Sequence, residues 1–165
     1  MRIGVLSDTH LREGQYLPGF VWDTLQGVDL ILHAGDVVRA QILADLAILA
    51  PVRAVRGNCD WELTDLPGQD LVDFGGLKIG LIHGNAGAGS TVQERAYNTF
   101  AEESPDVIVF GHSHQPYWGW QNNILLFNPG SATDKRREKQ FSLGTIEVIN
   151  GQIAANHHFF SERSK

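Results

Sequence analysis

Cysteine is almost absent from this sequence, and Cys59 stands alone. No disulfide can close within the chain, and no cysteine cluster exists to hold a structural zinc. A reducing compartment follows as the expectation, with the cytoplasm as the default. Long apolar runs are missing too. No stretch approaches the ~18 consecutive apolar residues that a membrane-crossing helix requires, and the apolar part of residues 1–8 is too short for a signal peptide. The third absence is an excess of positive charge. Thirteen Lys and Arg face nineteen Asp and Glu, a formal net charge of −6. That balance argues against an extended nucleic-acid surface, which needs clustered basic residues. A small phosphate ligand is still compatible with it, because bound cations can set the local charge of a site.

The 165 residues are 42% hydrophobic and 19% charged, ordinary values for a soluble chain. They suffice for one domain, residues 1–165, with a sizeable core. Short apolar runs alternate with amphipathic segments. Strands are expected at residues 2–7, 28–33 and 52–56. Phe20, Val21 and Leu25 mark a short helix between the first two, and Ile42, Leu43, Leu46 and Leu49 a second helix that Pro51 ends. Gly75-Gly76 is flanked by strands 71–74 and 77–82, a hairpin. A helix over 91–102 follows, where Thr91 and Glu94 can form a capping box. Strand 106–110 comes next, then strands 117–120 and 124–127 around Asn122-Asn123. Strands 141–149 and 152–159 meet at Asn150-Gly151, a type I′ turn signal. The first half is β-α-β-α-β and the second mostly hairpins, so mixed sheets covered by helices are expected.

The strand ends hold the chemistry. Glycine follows several apolar runs, at Gly35, Gly57, Gly84, Gly111 and Gly130, where it permits sharp turns and close approach to a ligand. Asp8-Thr9-His10 follows the first strand and Gly35-Asp36 the second. Gly57-Asn58-Cys59-Asp60 follows the third, His83-Gly84 follows 77–82, and Gly111-His112-Ser113-His114 follows 106–110. Each motif alone is commonplace as a turn or cap. Five in a row, each at a strand end, are not. Two Asp, four His and one Asn are about the protein ligands that two divalent ions need if one carboxylate and one water bridge them. Such a mixed set suits Mn²⁺ first, with Ni²⁺, Fe and Zn²⁺ as alternatives and Mg²⁺ or Ca²⁺ less suited.

These motifs, in this order, resemble the calcineurin-like metallophosphoesterases, and most closely their small bacterial and archaeal phosphodiesterase branch. The resemblance runs from Arg2 to about Ser131 and includes Asn128-Pro129-Gly130-Ser131. It implies a four-layer α/β/β/α sandwich with two divalent metals between the sheet edge and the loops. Asp8, His10, Asp36 and His114 would hold the first metal; Asp36, Asn58, His83 and His112 the second, with Asp36 bridging. Asp36, Asn58, Cys59 and His112 would take part in catalysis on a small phosphoester, with a hydroxide between the metals as nucleophile. Cys59 stands where the wider family usually has His. A thiol is a poorer acid–base partner, and small phosphodiesterases of this branch often carry it.

Other residues invite plainer readings. His33 reads as a satisfied buried histidine, with orientation of Asp36 as the alternative. His157 and His158 read as surface or strand residues, and Asp60 as a turn cap or a support for the Asn58 loop rather than a metal ligand. Arg12, Arg56 and the basic run 135–139 read as surface charges that could also meet a phosphate. Tyr117, Trp118 and Trp120 suggest core packing or a homo-oligomer contact. Residues 84–91 nearly match a nucleotide phosphate-binding loop, but Ser90 stands where the pattern demands lysine, so nucleotide-dependent chemistry is set aside. The competing reading from another class is a metal-binding interaction scaffold of the same fold, as the retromer cargo-selection subunit is.

Overall fold

The computed structural model describes residues 1–150 and 152–161. Ten strands and three helices follow in order: β1 Arg2–Leu6, α1 Gly19–Leu25, β2 Leu30–His33, α2 Ala40–Leu46, β3 Val52–Ala54, β4 Gln69–Phe74, β5 Leu77–Ile82, α3 Val92–Phe100, β6 Val107–Val109, β7 Tyr117–Gln121, β8 Ile124–Asn128, β9 Phe141–Ile149 and β10 Gln152–Phe160. They form two five-stranded mixed sheets, β10-β9-β1-β2-β3 and β4-β5-β6-β8-β7.

Strict two-residue alternation decides which sheet face each side chain joins. In β1 and β2, Ile3, Val5, Leu30 and Leu32 turn inward to meet Ile79, Leu81, Val107, Val109, Leu125 and Phe127 of the second sheet. The intervening Leu6 and Ile31 turn outward and pack under α1 and α2 with Val21, Leu25, Ile42 and Leu46. On the second sheet, Ile82, Ile108, Phe110 and Leu126 turn outward under α3, against Ala96 and Phe100. Both faces of the central strands are therefore buried, which explains their unbroken apolar runs. The layers read helix, sheet, sheet, helix, the four-layer α/β/β/α sandwich that the sequence implied.

Parallel pairing sets the polarity of the site edge. β1 pairs with β2 and β2 with β3 in parallel; β5 pairs with β6 and β6 with β8 in parallel. Each triplet thus ends on one edge of its sheet, and every motif named above follows one of those strands.

Turn chemistry agrees with the expected hairpins. Gly75 and Gly76 have φ of 58° and 86°, and Asn122 and Asn123 of 48° and 64°, the left-handed pair of a type I′ turn. Asn150 has φ 52°, while Gly151 lies outside the described residues. Some expected lengths differ. α2 stops at Leu46 rather than reaching Leu49, because Ile48 and Leu49 close tighter, three-residue turns onto Asp45 and Leu46. α3 starts after Thr91, whose hydroxyl accepts from Glu94 N at 3.1 Å while Glu94 Oε2 accepts from Thr91 N at 3.2 Å. That is the full capping box. Replacing Thr91 with alanine should cost about 1 kcal/mol of stability, read by denaturant unfolding; an unchanged midpoint would show that the box contributes nothing.

Candidate metal centre

At the strand-end edge the backbone itself is unusual. Asp8, His10, Asp36, His112 and His114 have φ of 54°, 45°, 54°, 67° and 60°, left-handed values that non-glycine residues seldom adopt. Each costs free energy and persists only where neighbours enforce it. Close packing enforces it here. A Cβ at Gly57 would overlap the Asp36 carboxylate, and one at Gly111 would overlap Ser7 Oγ, so neither site tolerates any other residue without movement.

Asp8 is fully buried. Its Oδ2 accepts from Ser7 Oγ at 2.7 Å and from His112 N at 2.9 Å. Its Oδ1 has no hydrogen-bond partner among the described residues, and neither do His10 Nε2 and His114 Nε2. These three orphans face one another: Oδ1 lies 3.4 Å from His114 Nε2 and 3.9 Å from His10 Nε2. The rings of His10 and His114 stack at 5.0 Å. Buried polar atoms are rarely left unpaired. Two atoms bound to one cation at about 2.0–2.2 Å stand about 3–4 Å apart, so these residues fit a divalent ion.

Asp36 occupies the middle. Its Oδ1 accepts from Cys59 N at 2.7 Å, which leaves Oδ2 at 3.3 Å from His10 Nε2 and at 3.3 Å from His83 Nε2. His83 donates its Nδ1 to Ala34 O at 2.7 Å, which turns Nε2 toward the cluster, 3.1 Å from Asn58 Oδ1. The His112 ring stands edge-on to His83 at 5.1 Å. His114 is aimed in the same way, by Nδ1 on Asp134 O. Such contacts on the far ring nitrogen fix the tautomer of a metal-binding histidine. All eight residues singled out by the sequence thus stand at this edge. Three overlapping groups could each hold an ion: Asp8, His10 and His114; Asp8, Asp36 and His83; His10, Asp36 and Cys59.

Burial and charge sort the titrations. Burial pushes Asp8 up to about 7, with Asp36 adding to it, against the pull of His83 and Ser7. Burial also opposes ionisation of Asp36, but the His83 hydrogen bond and charge, with the Cys59 N–H, outweigh it and hold Asp36 below the usual carboxylate range. For His83 burial disfavours the cation, yet Asp36 and Asp8 win and raise it. Burial lowers His114 to about 4. The Cys59 thiol is pushed up to about 11, by burial first and then by Asp36, so it stays protonated at neutral pH.

Two supporting residues are clearer here than in the sequence. Asp60 is buried, and its carboxylate accepts three backbone N–H groups: Asp36 at 2.9 Å, Gly57 at 2.7 Å and Val38 at 2.7 Å. It supports the Asn58 loop, as expected, and the Asp36 loop as well. His33 is buried but only half satisfied. Its Nε2 meets Thr9 Oγ1 at 3.2 Å, whereas Nδ1 has no partner among the described residues. That corrects the reading of a satisfied histidine, although Thr9 Oγ1 does link it to the backbone carbonyls of Asp36 and Val37. His157 and His158 are half-buried in β10; His157 donates to Asn128 O at 2.7 Å and stacks on Phe127, so it ties the two sheets together.

The phosphate-loop look-alike resolves differently. The amides at the start of α3 are already taken, with Ser90 N and Thr91 N bonded to Glu94 Oε2 at 2.6 Å and 3.2 Å. The helix fills its own anion site.

Comparison with known proteins identifies the family of the chain. The profile of the calcineurin-like phosphoesterase superfamily domain matches residues 1–151. A probable metallophosphoesterase of Methanocaldococcus jannaschii is 42% identical over 139 residues, covering 82% of this chain and 70% of that protein. A phosphodiesterase of the same organism is 26% identical over 146 residues, 80% of this chain and 84% of its own. In three dimensions the chain is similar to Vps29 of Chaetomium thermophilum, with a TM-score of 0.79, 21% identity and 98% of each chain covered. At that identity the likeness speaks for the fold alone. Among the described residues, no helix is long and apolar enough to cross a membrane.

Two outcomes follow. Asp60→Ala strands two buried N–H groups and the half-buried one of Val38 and should destabilise the metal-stripped protein by about 3–5 kcal/mol, read as a shifted guanidinium midpoint; a loss below about 1 kcal/mol would demote the clamp. For His33 burial, then His83, lower the pKa to about 3 from 6.5. The unfolded chain then binds more protons below pH 6.5, so stability falls as pH drops from about 6.5 toward about 3. Metal-stripped His33→Gln should therefore lose less stability between pH 6.5 and 4 than the parent, by up to about 1.4 kcal/mol per pH unit. Parallel stability curves would refute it.

Proposed function

Because the chain belongs to the calcineurin-like phosphoesterase superfamily, we propose that it is a cytoplasmic, binuclear-metal phosphodiesterase acting on small phosphoesters. The carrying observation is the position of Asp36 Oδ2, equidistant at 3.3 Å from His10 Nε2 and His83 Nε2. That is where a bridging carboxylate belongs. Asp8, His10, Asp36 and His114 would hold one cation, and Asp36, Asn58, His83 and His112 the other, with Mn²⁺ the metal expected from this ligand set. When bound, such a pair supplies Lewis acidity: it activates water near neutral pH and neutralises charge on the phosphoryl oxygens.

The remaining work falls to the chain. Ala34 O and Asp134 O lock the tautomers of His83 and His114. Asp60 and the Cys59 N–H hold Asp36 in place. Asn58 and His112 are less buried than Asp8 or His83 and face the incoming ester, where the Asn58 amide can donate to a phosphoryl oxygen. The Cys59 thiol offers at most a weak proton donor to the leaving oxygen. That suits diesters with good leaving groups better than alkyl monoesters.

Metal-stripped protein given Mn²⁺ should hydrolyse bis(p-nitrophenyl) phosphate faster than p-nitrophenyl phosphate and be inactive with chelator. Asp36→Asn should lower kcat/KM by about a thousandfold or more and weaken binding of both metals, whereas Cys59→Ala should cost less than about tenfold. Full turnover by Asp36→Asn would remove Asp36 from the bridging role. Two bound Mn²⁺ without turnover of either ester would favour the metal-holding scaffold instead.

A further inference from the structure

The metal edge is approached from two sides of one loop. Between β3 and β4 the chain runs Asn58-Cys59-Asp60-Trp61. Asp60 turns inward and is buried, whereas Trp61 turns outward and is 82% exposed. On one side of Trp61 a cleft of about 810 Å³ runs from Asn58 past Arg56 toward Gln69 and Asn85. On the other a cleft of about 660 Å³ runs from His10 and Cys59 toward Arg12 and Arg136. Trp61 lines both, and both volumes are in the range of small-ligand sites.

This arrangement matches the shape of a diester. A phosphomonoester has one arm and a phosphodiester two, which leave phosphorus in different directions. A phosphate seated among Asn58, Asp36 and His10 sends one arm to each side of the loop.

The first cleft is the more selective of the two. It combines an exposed indole, the Asn85 and Gln69 amides, and the Arg56 guanidinium, whose side chain has no ion-pair or hydrogen-bond partner among the described residues. Ala86 and Gly87 also line it, and side chains that small leave room for a flat ring. Stacking surface, unpaired cation and amide edges together fit a heteroaromatic ring joined to phosphate.

Resting on the phosphodiesterase reading above, we infer that this cleft is a subsite for a nucleotide-type arm: the base stacks on Trp61, and a second phosphate on the same arm pairs with Arg56. Trp61 is thus a specificity-determining residue.

The test is a comparison of binding by the full-length, Mn²⁺-loaded protein, independent of turnover. Adenosine 5′-monophosphate and ribose 5-phosphate share the sugar phosphate and differ only by the base. By calorimetry the parent should bind the nucleotide about tenfold more tightly. Trp61→Ala should reduce that ratio to about one, and Trp61→Phe should keep most of it. Arg56→Ala should weaken adenosine 3′,5′-bisphosphate about fivefold more than it weakens the monophosphate. Trp61 is exposed, so its replacement should leave the melting temperature unchanged. A nucleotide advantage that survives in Trp61→Ala, or that the parent never shows, overturns the subsite. Loss of the ratio in Trp61→Ala supports it even if no diester is turned over, an outcome that would count against the catalytic reading alone.

Discussion

The carboxylate of Asp60 is the constraint on which the site edge depends. Three backbone N–H groups converge on it, two from the loop after β2 and one from the loop after β3. Neither loop can satisfy those donors through a sheet ladder, because β2 and β3 have already ended. A buried charge accepting three short hydrogen bonds is strongly held, and it locks the Asp36 and Asn58 loops in mutual register. Cys59 N can then reach Asp36 Oδ1 at 2.7 Å, and Asp36 Oδ2 is left midway between two imidazoles.

A second set of contacts does the same for the first strand. Ser131 Oγ donates to Asp8 O at 2.7 Å, Thr133 Oγ1 donates to Thr9 O, and Asn128 Nδ2 donates to Gly111 O at 2.9 Å. Ser131 and Thr133 follow β8, in the second sheet, yet they fix the loop after β1, in the first; Asn128, the last residue of β8, holds the loop after β6. The two sheets are thereby joined at their chemical edge by hydrogen bonds and in their interior by apolar packing. Left-handed backbone at Asp8, His10, Asp36, His112 and His114 persists within this web, in which Ser131 ties the Asp8 carbonyl and Asp60 the Asp36 amide.

Most of this fold was legible in the sequence because its signals are local. Unbroken apolar runs over β1, β2, β5, β6 and β8 marked strands with two buried faces, and Gly75-Gly76 and Asn122-Asn123 marked turns. The eight residues that gather at this edge were legible because each belongs to a motif that follows an apolar run. What escaped the sequence depends on distance across the fold. Nothing local distinguishes Asp60, with three N–H partners, from an aspartate capping a turn. The unpaired Nδ1 of His33 depends on a wall of neighbours far away in the chain. The inter-sheet bond from His157 requires knowing that β10 lies over Asn128. Trp61 stands directly beside the metal motif, yet its exposure and its place between two clefts emerge only from tertiary structure.

The look-alike phosphate loop shows why local signals alone mislead. A glycine-rich turn entering a helix creates an anion site through free amides and the helix dipole. In residues 84–91 that site is made and then filled, because Glu94 lies one turn inside α3 and folds back onto Ser90 N and Thr91 N. A phosphate would have to displace a tethered carboxylate, whose effective concentration at those amides far exceeds that of any free anion. The turn therefore serves stability: it starts α3 and delivers His83 to the edge. In the reading proposed above, anion affinity would lie one residue back, where His83 Nε2 meets Asp36 Oδ2 at 3.3 Å and bound cations rather than backbone amides would supply the positive charge. The glutamate of α3 thus closes the amide site of this segment to any free anion, which leaves only the His83 edge for the role proposed above.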